Sequence, residues 1–460
     1  MRDTGPAAAG GADTIAAIAT PEGEGGIAVV RVSGPGALAV ARSLFTPASG
    51  RPATLATHRA VFGLIHARAG APLDEGLLLP MLAPNSYTGE DTVEFHCHGG
   101  RFTARRVLGA CLEAGARAAG PGEFTRRAFL GGRLSLDQAE AVADLIHAED
   151  ELAAAGALEQ LRGALRREVE EIERPLRALL TEVEGALEFA QEEKPGARAR
   201  AVDVVRTALA RTEALLALAP AARRVREGVR VVLVGPPNSG KSALFNALLG
   251  RARAIVDAAP GTTRDVITEA LHHGGLSLVL HDTAGLRARG GRVEALGMTR
   301  ARSALDTADI VVWVHDLSAA AGQWERPAAP VGAAELGVGT KADLASPQRR
   351  AAEPAMRATS AVTGEGIEAR RDALVAAADA GGLRRVARMG LLLGARHQSR
   401  LMECQSGLRA VLQAFEEEGA GDEVAATLLG GALAQLGEIS GRVFTEALLG
   451  DVFSRFCIGK

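Results

Sequence analysis

The chain has 460 residues, 47 % of them hydrophobic and 23 % charged, with a formal net charge of -3 and a sequence pI near 6.4. That length suggests roughly three domains with real cores, and the charge balance excludes a globally basic coat for nucleic acid. No apolar stretch reaches the ~18 residues of a membrane span, the N-terminus lacks a signal pattern, and the four scattered cysteines form no CxxC pair, so the sequence predicts a soluble, cytoplasmic protein without structural zinc.

Residues 1–125 read as mixed α/β, with strands at Ala28 to Val32, Leu77 to Leu82 and Thr92 to His96 and a helix near Arg105 to Glu113. His96, Cys97 and His98 raise the question of a metal, but on a strand only the two histidines share a face. From 126 to 215 the pattern changes to long helices. Leu158, Leu161, Leu165, Val169, Ile172, Leu176, Leu179, Val183 and Leu187 recur at threes and fours, and Pro175 is expected to interrupt the stripe. Residues 216–379 carry phosphate-binding motifs. From 380 to 460 helices return, with Val424, Leu428, Leu433, Leu436 and Ile439 on one side. The simplest architecture inserts the nucleotide domain between two halves of one helical domain. Two arginine clusters stand out: Arg223, Arg224, Arg226 and Arg230, and Arg101, Arg105 and Arg106. Such runs are solvated faces more often than phosphate-binding surfaces.

Only four of the 52 basic residues are lysines, and three lie in segments with a ligand reading: Lys241, Lys341 and the last residue, Lys460. Arginine has taken over elsewhere, so lysine is retained where a compact charge on a flexible stem is needed. Lys241 belongs to GPPNSGKS, Gly235 to Ser242, between the apolar run Val231 to Val234 and a helix start at Ala243 to Leu249. In this loop the glycines let N–H groups of Asn238, Ser239, Gly240 and Ala243 turn toward a phosphate. Lys241 reaches the β and γ oxygens, and Ser242 ligates Mg²⁺.

Downstream motifs follow in the order of a GTPase domain. The switch segment runs Asp257, Ala258, Ala259, Pro260, Gly261, Thr262, Thr263, and Thr263 is a second Mg²⁺ ligand. Asp282, at the end of a strand from Leu276 to Leu280, begins Asp282-Thr283-Ala284-Gly285; it holds Mg²⁺ through water, and Gly285 offers its N–H to the γ-phosphate. In Thr340-Lys341-Ala342-Asp343 the Asp343 carboxylate accepts the two donors of a guanine edge, which selects GTP over ATP. Ser360 and Ala361 follow as a further base loop. GTPases usually have Asn at the place of Thr340, so one base contact is expected to be weaker. Leu286 occupies the place of the water-orienting glutamine of Ras-like enzymes, so another group must orient the water.

With DTIAAIATPEGEGGIAVVRVSG near the start, PNSYTGEDTVEFHCHGG, PGEFTRRAFLGGRLSLDQAEAVADLI, the GPPNSGKS domain and the terminal FCIGK, the chain resembles the bacterial and organellar tRNA-modification GTPases called MnmE or TrmE. The resemblance implies an α/β N-terminal folate-binding and dimerisation domain, an all-α helical domain and an inserted P-loop GTPase domain. It further implies a homodimer that acts on tRNA in a hetero-oligomer with a flavin-dependent tRNA-modification protein carrying FAD and using NADH. A tetrahydrofolate derivative, in the 5-formyl or 5,10-methylene form, supplies carbon for the aminomethyl or carboxymethylaminomethyl group at the wobble uridine. Carried over by position, the folate contacts are Arg31, Glu94, Arg133 and Lys460. A carboxylate such as Glu94 suits the paired donors of a pterin edge, and the cations suit its tail carboxylates. The K⁺ site falls on Asn238, Asp257, Ala259 and Thr262, where a monovalent cation supplies the charge of an arginine finger. Glu294 is the catalytic glutamate that orients water, and Cys457 is a candidate reactive thiol.

A rival reading makes the chain a GTP-switched assembly or ribosome-associated binding protein whose N-terminal domain only dimerises. The folate residues and the CIGK tail separate the two, because a pure switch needs neither.

Overall fold

The computed structural model of the chain describes residues 13–21, 23–50, 55–189, 196–250, 268–282, 302–319, 326–352, 356–416 and 422–460. Two units are defined by contacts, Met1–Ala143 with Gly430–Lys460, and Asp144–Leu429.

The first unit is built on seven strands: β1 (Ile15–Ile18), β2 (Ile27–Ser33), β3 (Phe45–Pro47), β4 (Val61–His66), β5 (Pro72–Met81), β6 (Thr92–His98) and β7 (Arg117–Ala118), in the order β3-β4-β5-β6-β2-β1-β7. All neighbours are antiparallel except β1 and β7. Side chains alternate across such a sheet. Val30 and Val32 of β2 and Val93, Phe95 and Cys97 of β6 form one face, buried with Val40 and Leu44 of the helix Ala37–Leu44 and Val107 of the helix Arg101–Glu113. Arg31 and Glu94 therefore take the other face, directly opposite each other in the β2–β6 register.

The last residues of the chain belong to this same unit. Phe129, Leu136 and Ala139 form a core with Leu449, Val452, Phe453 and Phe456, which joins the helices Glu123–Leu130 and Leu136–Ile146 to the helix Glu446–Phe453. Arg127, 6 % exposed, is held by Asp13, Glu90 and Glu123. A buried guanidinium needs such partners, because an unpaired buried charge costs several kcal/mol.

In the second unit, β8 (Val229–Val234), β9 (Thr268–His273), β10 (Leu276–Asp282), β11 (Ile310–Asp316), β12 (Ala334–Thr340) and β13 (Arg357–Ala358) form a sheet in the order β13-β12-β11-β8-β10-β9. It is parallel except for β9. Near-continuous apolar runs such as Ile310 to Val314 suit strands covered on both faces. The helices Lys241–Leu249 and Ile367–Asp379 belong to the same α/β domain. The helices Glu151–Leu161, Ala164–Phe189, Ala197–Ala217, Ala219–Glu227, Leu383–Met389 and Ala395–Glu416 make up the all-α part of this unit. Asp150 ties the two parts together: Oδ1 caps the helix Glu151–Leu161 by accepting from Ala153 N at 2.7 Å, and Oδ2 accepts from Ser277 N of β10 at 2.6 Å.

The expected break at Pro175 is not found, since the helix Ala164–Phe189 runs through it. The chain breaks earlier, at Arg162 and Gly163, where Gly163 has φ +85° and the preceding helix closes through Arg162 N to Leu158 O. Among the described residues no helix is long and apolar enough to cross a membrane.

Candidate functional site

Four predicted nucleotide motifs stand at the carboxyl ends of parallel strands: the glycine-rich loop after β8, Asp282 at the end of β10, Thr340 and Lys341 at the end of β12, and Ser360 just past β13. β8 lies between β10 and β11, where the strand order reverses, the place at which open α/β sheets bind ligands.

Within the loop, Asn238 at φ +60° and Gly240 at φ +86° adopt left-handed conformations at alternate positions, a nest that turns amide N–H groups toward a shared centre. Gly235 is required by contact, because a methyl group there would stand 2.3 Å from Val314 O. Lys241 Nζ donates to Gly235 O at 2.9 Å and Pro236 O at 2.7 Å, so the ammonium is folded over its own loop. Ser242 and Ala243 are exposed at the start of the helix, and Ser239 Oγ is buried without a partner. The orphaned hydroxyl, the nest and the helix start are a donor set suited to phosphate oxygens.

The turn expected to read the base is locked onto this loop. The Thr340 hydroxyl is shared between Ser239 O and His315 O. Lys341, held at φ +55°, donates to Asn238 O at 2.9 Å and to Asp316 Oδ2 at 2.6 Å. Burial alone would raise the Asp316 carboxyl; hydrogen bonds from Lys341 and Ser318 bring it below the usual carboxylate value. Asp316 is a site residue that the sequence reading missed, although its place at the end of the apolar run Ile310 to Val314 marks it. Asp343 is exposed in the short 3-10 helix Ala342–Leu344, and the Ser360 hydroxyl accepts from Val362 N and Thr363 N to shape its turn, with Ala361 exposed. Asp257, Ala258, Ala259, Pro260, Gly261, Thr262, Thr263, Thr283, Ala284, Gly285, Leu286 and Glu294 lie outside the described residues.

The first unit brings together a second cluster. Arg31 Nε pairs with Glu94 Oε1 at 2.9 Å, and Glu94 Oε2 meets His96 Nε2 at 3.1 Å. The Arg31 guanidinium lies 5.6 Å from the ring centroids of both Tyr87 and Phe124. Burial pushes the Glu94 carboxyl up, but the His96 hydrogen bond and the Arg31 charge outweigh it and hold the group below its ordinary value. The C-terminal tail closes the cluster. Ile458 bridges Pro121 in antiparallel fashion, Phe124 N donates to Lys460 O at 3.1 Å, and Arg31 donates to Gly459 O at 3.4 Å. Gly459 has φ +100°, and a methyl group there would stand 2.2 Å from Ile18 O, so no other residue fits without moving the tail. Burial, with the Arg31 charge, lowers the half-buried Lys460 ammonium against the opposing pull of Glu94 and Cys457. Arg31 and Lys460 thus place two cationic side chains beside the Glu94 carboxylate. Arg133 is exposed in the loop after Glu123–Leu130; a methyl group on Gly89 would lie 3.3 Å from its Cγ, and no hydrogen bond or ion pair joins its side chain to Arg31 or Glu94.

Cys457 is exposed beside this cluster, whereas burial pushes the thiols of Cys97, Cys111 and Cys404 up to about 11, 12 and 12. His96 serves Glu94, His98 serves Asp74 at 2.8 Å, and the described residues contain no group of three or more potential metal ligands. The first arginine cluster is internal wiring: Arg223 and Arg224 hold Asp309, Arg226 holds Asp144, and Arg230 holds Glu227.

Two families match the chain: the GTP-binding protein TrmE N-terminus over residues 14–133, and the MnmE helical domain over residues 136–457. A tRNA modification GTPase MnmE from Symbiobacterium thermophilum is 44 % identical, covering 98 % of this chain and 100 % of the relative. Proteins of the same name from Synechococcus sp. (strain JA-3-3Ab) and Myxococcus xanthus are each 43 % identical over 98 % and 97 % of this chain, and 98 % and 99 % of their own lengths. Among solved structures, the G domain of the T. maritima FeoB iron transporter covers 33 % of this chain at 25 % identity and a TM-score of 0.23. With its P-loop motif at the carboxyl end of β8 and full-length similarity to these relatives, the chain is a GTP hydrolase belonging to the MnmE (TrmE) family of tRNA modification GTPases.

Proposed function

We propose that this chain is a potassium-activated GTPase that, as a cytoplasmic homodimer working with a flavin-dependent partner, installs the aminomethyl or carboxymethylaminomethyl group at the 5-position of wobble uridine in certain tRNAs. The observation that carries the reading is the tail: Gly459 and Lys460 are folded onto Arg31 and Glu94, an arrangement that a nucleotide switch alone does not need. Glu94 keeps acceptor capacity beyond Arg31 and His96, since a carboxylate offers about four lone-pair positions, and that capacity suits the amidine edge of a tetrahydrofolate pterin. Lys460 and Arg31 suit its carboxylates, with Arg133 as a further contact from the exposed loop. The folate supplies the one-carbon unit, and the partner's FAD with NADH supplies the redox chemistry. The domain limits proposed are 1–125, 126–215, 216–379 and 380–460.

In the nucleotide site, Ser242 and Thr263 hold Mg²⁺, Asn238 with the loop of Asp257, Ala259 and Thr262 holds K⁺, and Glu294 orients the attacking water. Two measurements on the full-length protein test the reading. GTP hydrolysis is expected to be much faster in potassium than in sodium, and 5-formyltetrahydrofolate is expected to bind and to be lost on Glu94→Ala. Equal rates in both salts overturn the potassium assignment, and undiminished folate affinity in Glu94→Ala overturns the folate site.

A further inference from the structure

The turn joining β9 to β10 consists of two glycines, Gly274 at φ +58° and Gly275 at φ +79°, the pair of left-handed residues that a tight two-residue hairpin requires. Such a tip has no side chains of its own to anchor it. It is held from outside, through its backbone. Arg384 Nη2 donates to Gly274 O at 2.8 Å, Leu152 N donates to Gly275 O at 3.4 Å, and Asp150 Oδ2 accepts from Ser277 N at 2.6 Å. Leu152 N is one of the first-turn amides that a helix leaves unpaired, and the hairpin provides its acceptor. Both side chains are themselves fixed. Asp150 Oδ1 accepts from Ala153 N at 2.7 Å, and the Asp379 carboxylate accepts from Arg384 Nε at 3.0 Å and Arg384 N at 3.2 Å. Two helix starts of the all-α part, Glu151–Leu161 and Leu383–Met389, thus converge on one turn of the nucleotide-binding sheet.

The other end of this hairpin lies at the nucleotide site. Asp282, 3 % exposed, ends β10 five residues beyond Ser277, about 17 Å at the rise of a strand. β9 begins at Thr268, five residues after Thr263 in the chain. The two strands pair from His273 with Leu276 to Thr268 with His281, so the hairpin is one piece from its tip to the site. We infer that Asp150 and Arg384 are positioning residues for GTP hydrolysis: by holding the tip they fix where the hairpin presents Asp282 to the nucleotide. The inference rests on the reading of Asp282 as the carboxylate that holds Mg²⁺ through water, a role its oxygens suit because Mg²⁺ is a hard cation. A strand ladder sets which residues pair, and the supports around it set placement to within about 0.5 Å. Placement on that scale governs rate, since a displacement of about 1 Å costs on the order of 10²-fold.

The test uses the full-length protein. Asp150→Ser keeps a capping hydroxyl for Ala153 N but cannot hold Ser277 N as well, and Arg384→Met keeps the stem and removes the donor to Gly274 O. In the double variant kcat for GTP is expected to fall at least about tenfold with KM within about twofold, the pattern of an interaction made only in the transition state. GDP binding gives a second readout. Affinity in EDTA should stay within about twofold of wild type, while the gain in affinity on adding Mg²⁺ should shrink at least about threefold. Arg384→Lys, which keeps a donor for Gly274 O, should hold the wild-type rate where Arg384→Met alone lowers it. Asp282→Asn separates the two readings. If it leaves the Mg²⁺ effect at wild-type size, the reading of Asp282 fails and the positioning role fails with it. If it abolishes the effect while the double variant keeps the wild-type rate and Mg²⁺ response, the positioning role alone is overturned. Loss of GDP affinity in EDTA alongside the loss of rate overturns it too, because that is the mark of a general structural defect.

Discussion

Arg31 and Glu94 face each other across the β2–β6 register and pair at 2.9 Å on the sheet face that the two covering helices leave free. A pair at the centre of a sheet, with rings of Tyr87 and Phe124 against the guanidinium, is held in one geometry before any ligand arrives. Glu94→Gln keeps the shape and removes the charge. Because hydrogen bonds to charged groups contribute about 1.5–3 kcal/mol, folate affinity should fall roughly 10- to 100-fold in an equilibrium titration.

The same carboxyl sets a pH dependence. Its folded-state value lies below its ordinary 4.5, so the stabilisation it gives is present above about pH 4.5 and is lost as pH falls through the lower folded value. Thermal melting of the wild type should therefore steepen its decline below that pH, and Glu94→Gln should flatten this decline. An identical acid limb in both proteins would show that the pair does not contribute.

Thr340 departs from the asparagine expected in a GTPase, and its hydroxyl ties the end of β12 to the glycine-rich loop through Ser239 O and His315 O. Thr340→Val keeps the volume and removes the hydroxyl that Ser239 O and His315 O share, at a cost of about 1–3 kcal/mol. GTP affinity should drop about 5- to 100-fold while the guanine-over-adenine preference is retained, if Asp343 is the base reader. Loss of that preference with affinity unchanged would mean that Thr340 contacts the base itself.

Asp343→Asn should shift preference from guanine toward xanthine nucleotides, since the acceptor pair for N1–H and the 2-amino group becomes one acceptor and one donor. Competition between GTP and XTP reads this directly. No shift would place base recognition elsewhere than in this exposed turn.

Sequence made the strands of both sheets legible where the period was clean. The reading of Ala28 to Val32 falls within β2, Thr92 to His96 within β6, and Val231 to Val234 within β8. β1, β3 and β7 are two to four residues long and gave no periodic signal. In the helix Asp422–Ser440, Leu433, Leu436 and Ile439 are buried as read, whereas Val424 is 50 % exposed and Leu428 half-buried. Ala425, Leu429 and Ala432 take the buried side in the first half of the helix, where a count of large apolar residues alone missed the alanines. The nucleotide motifs were readable because phosphate chemistry fixes their spacing. Asp316, His96 and the contact of Gly459 with Arg31 were not, because each depends on register or on residues hundreds of positions apart.

Chain ends usually fray, yet the last residues here are fastened at several points: Phe456 is buried, Ile458 bridges Pro121, and Phe124 N donates to Lys460 O. Gly122 at φ +62° and Gly459 at φ +100° permit the close approach, and a methyl group on Gly459 would collide with Ile18 O at 2.2 Å. Gly459→Ala should therefore lift the tail without altering its chemistry, and removal of residues 457–460 should do the same more completely. Both variants are expected to lose wobble-uridine modification in a reconstituted assay and to bind 5-formyltetrahydrofolate at least about tenfold more weakly. GTP hydrolysis should stay within about twofold, because the nucleotide site is assembled in the other unit. Cys457→Ser separates the remaining role: the exposed thiol is needed for chemistry if modification stops while folate affinity holds, and it is only a packing element if both persist. Full modification by the protein truncated after Phe456 would remove the tail from the site altogether.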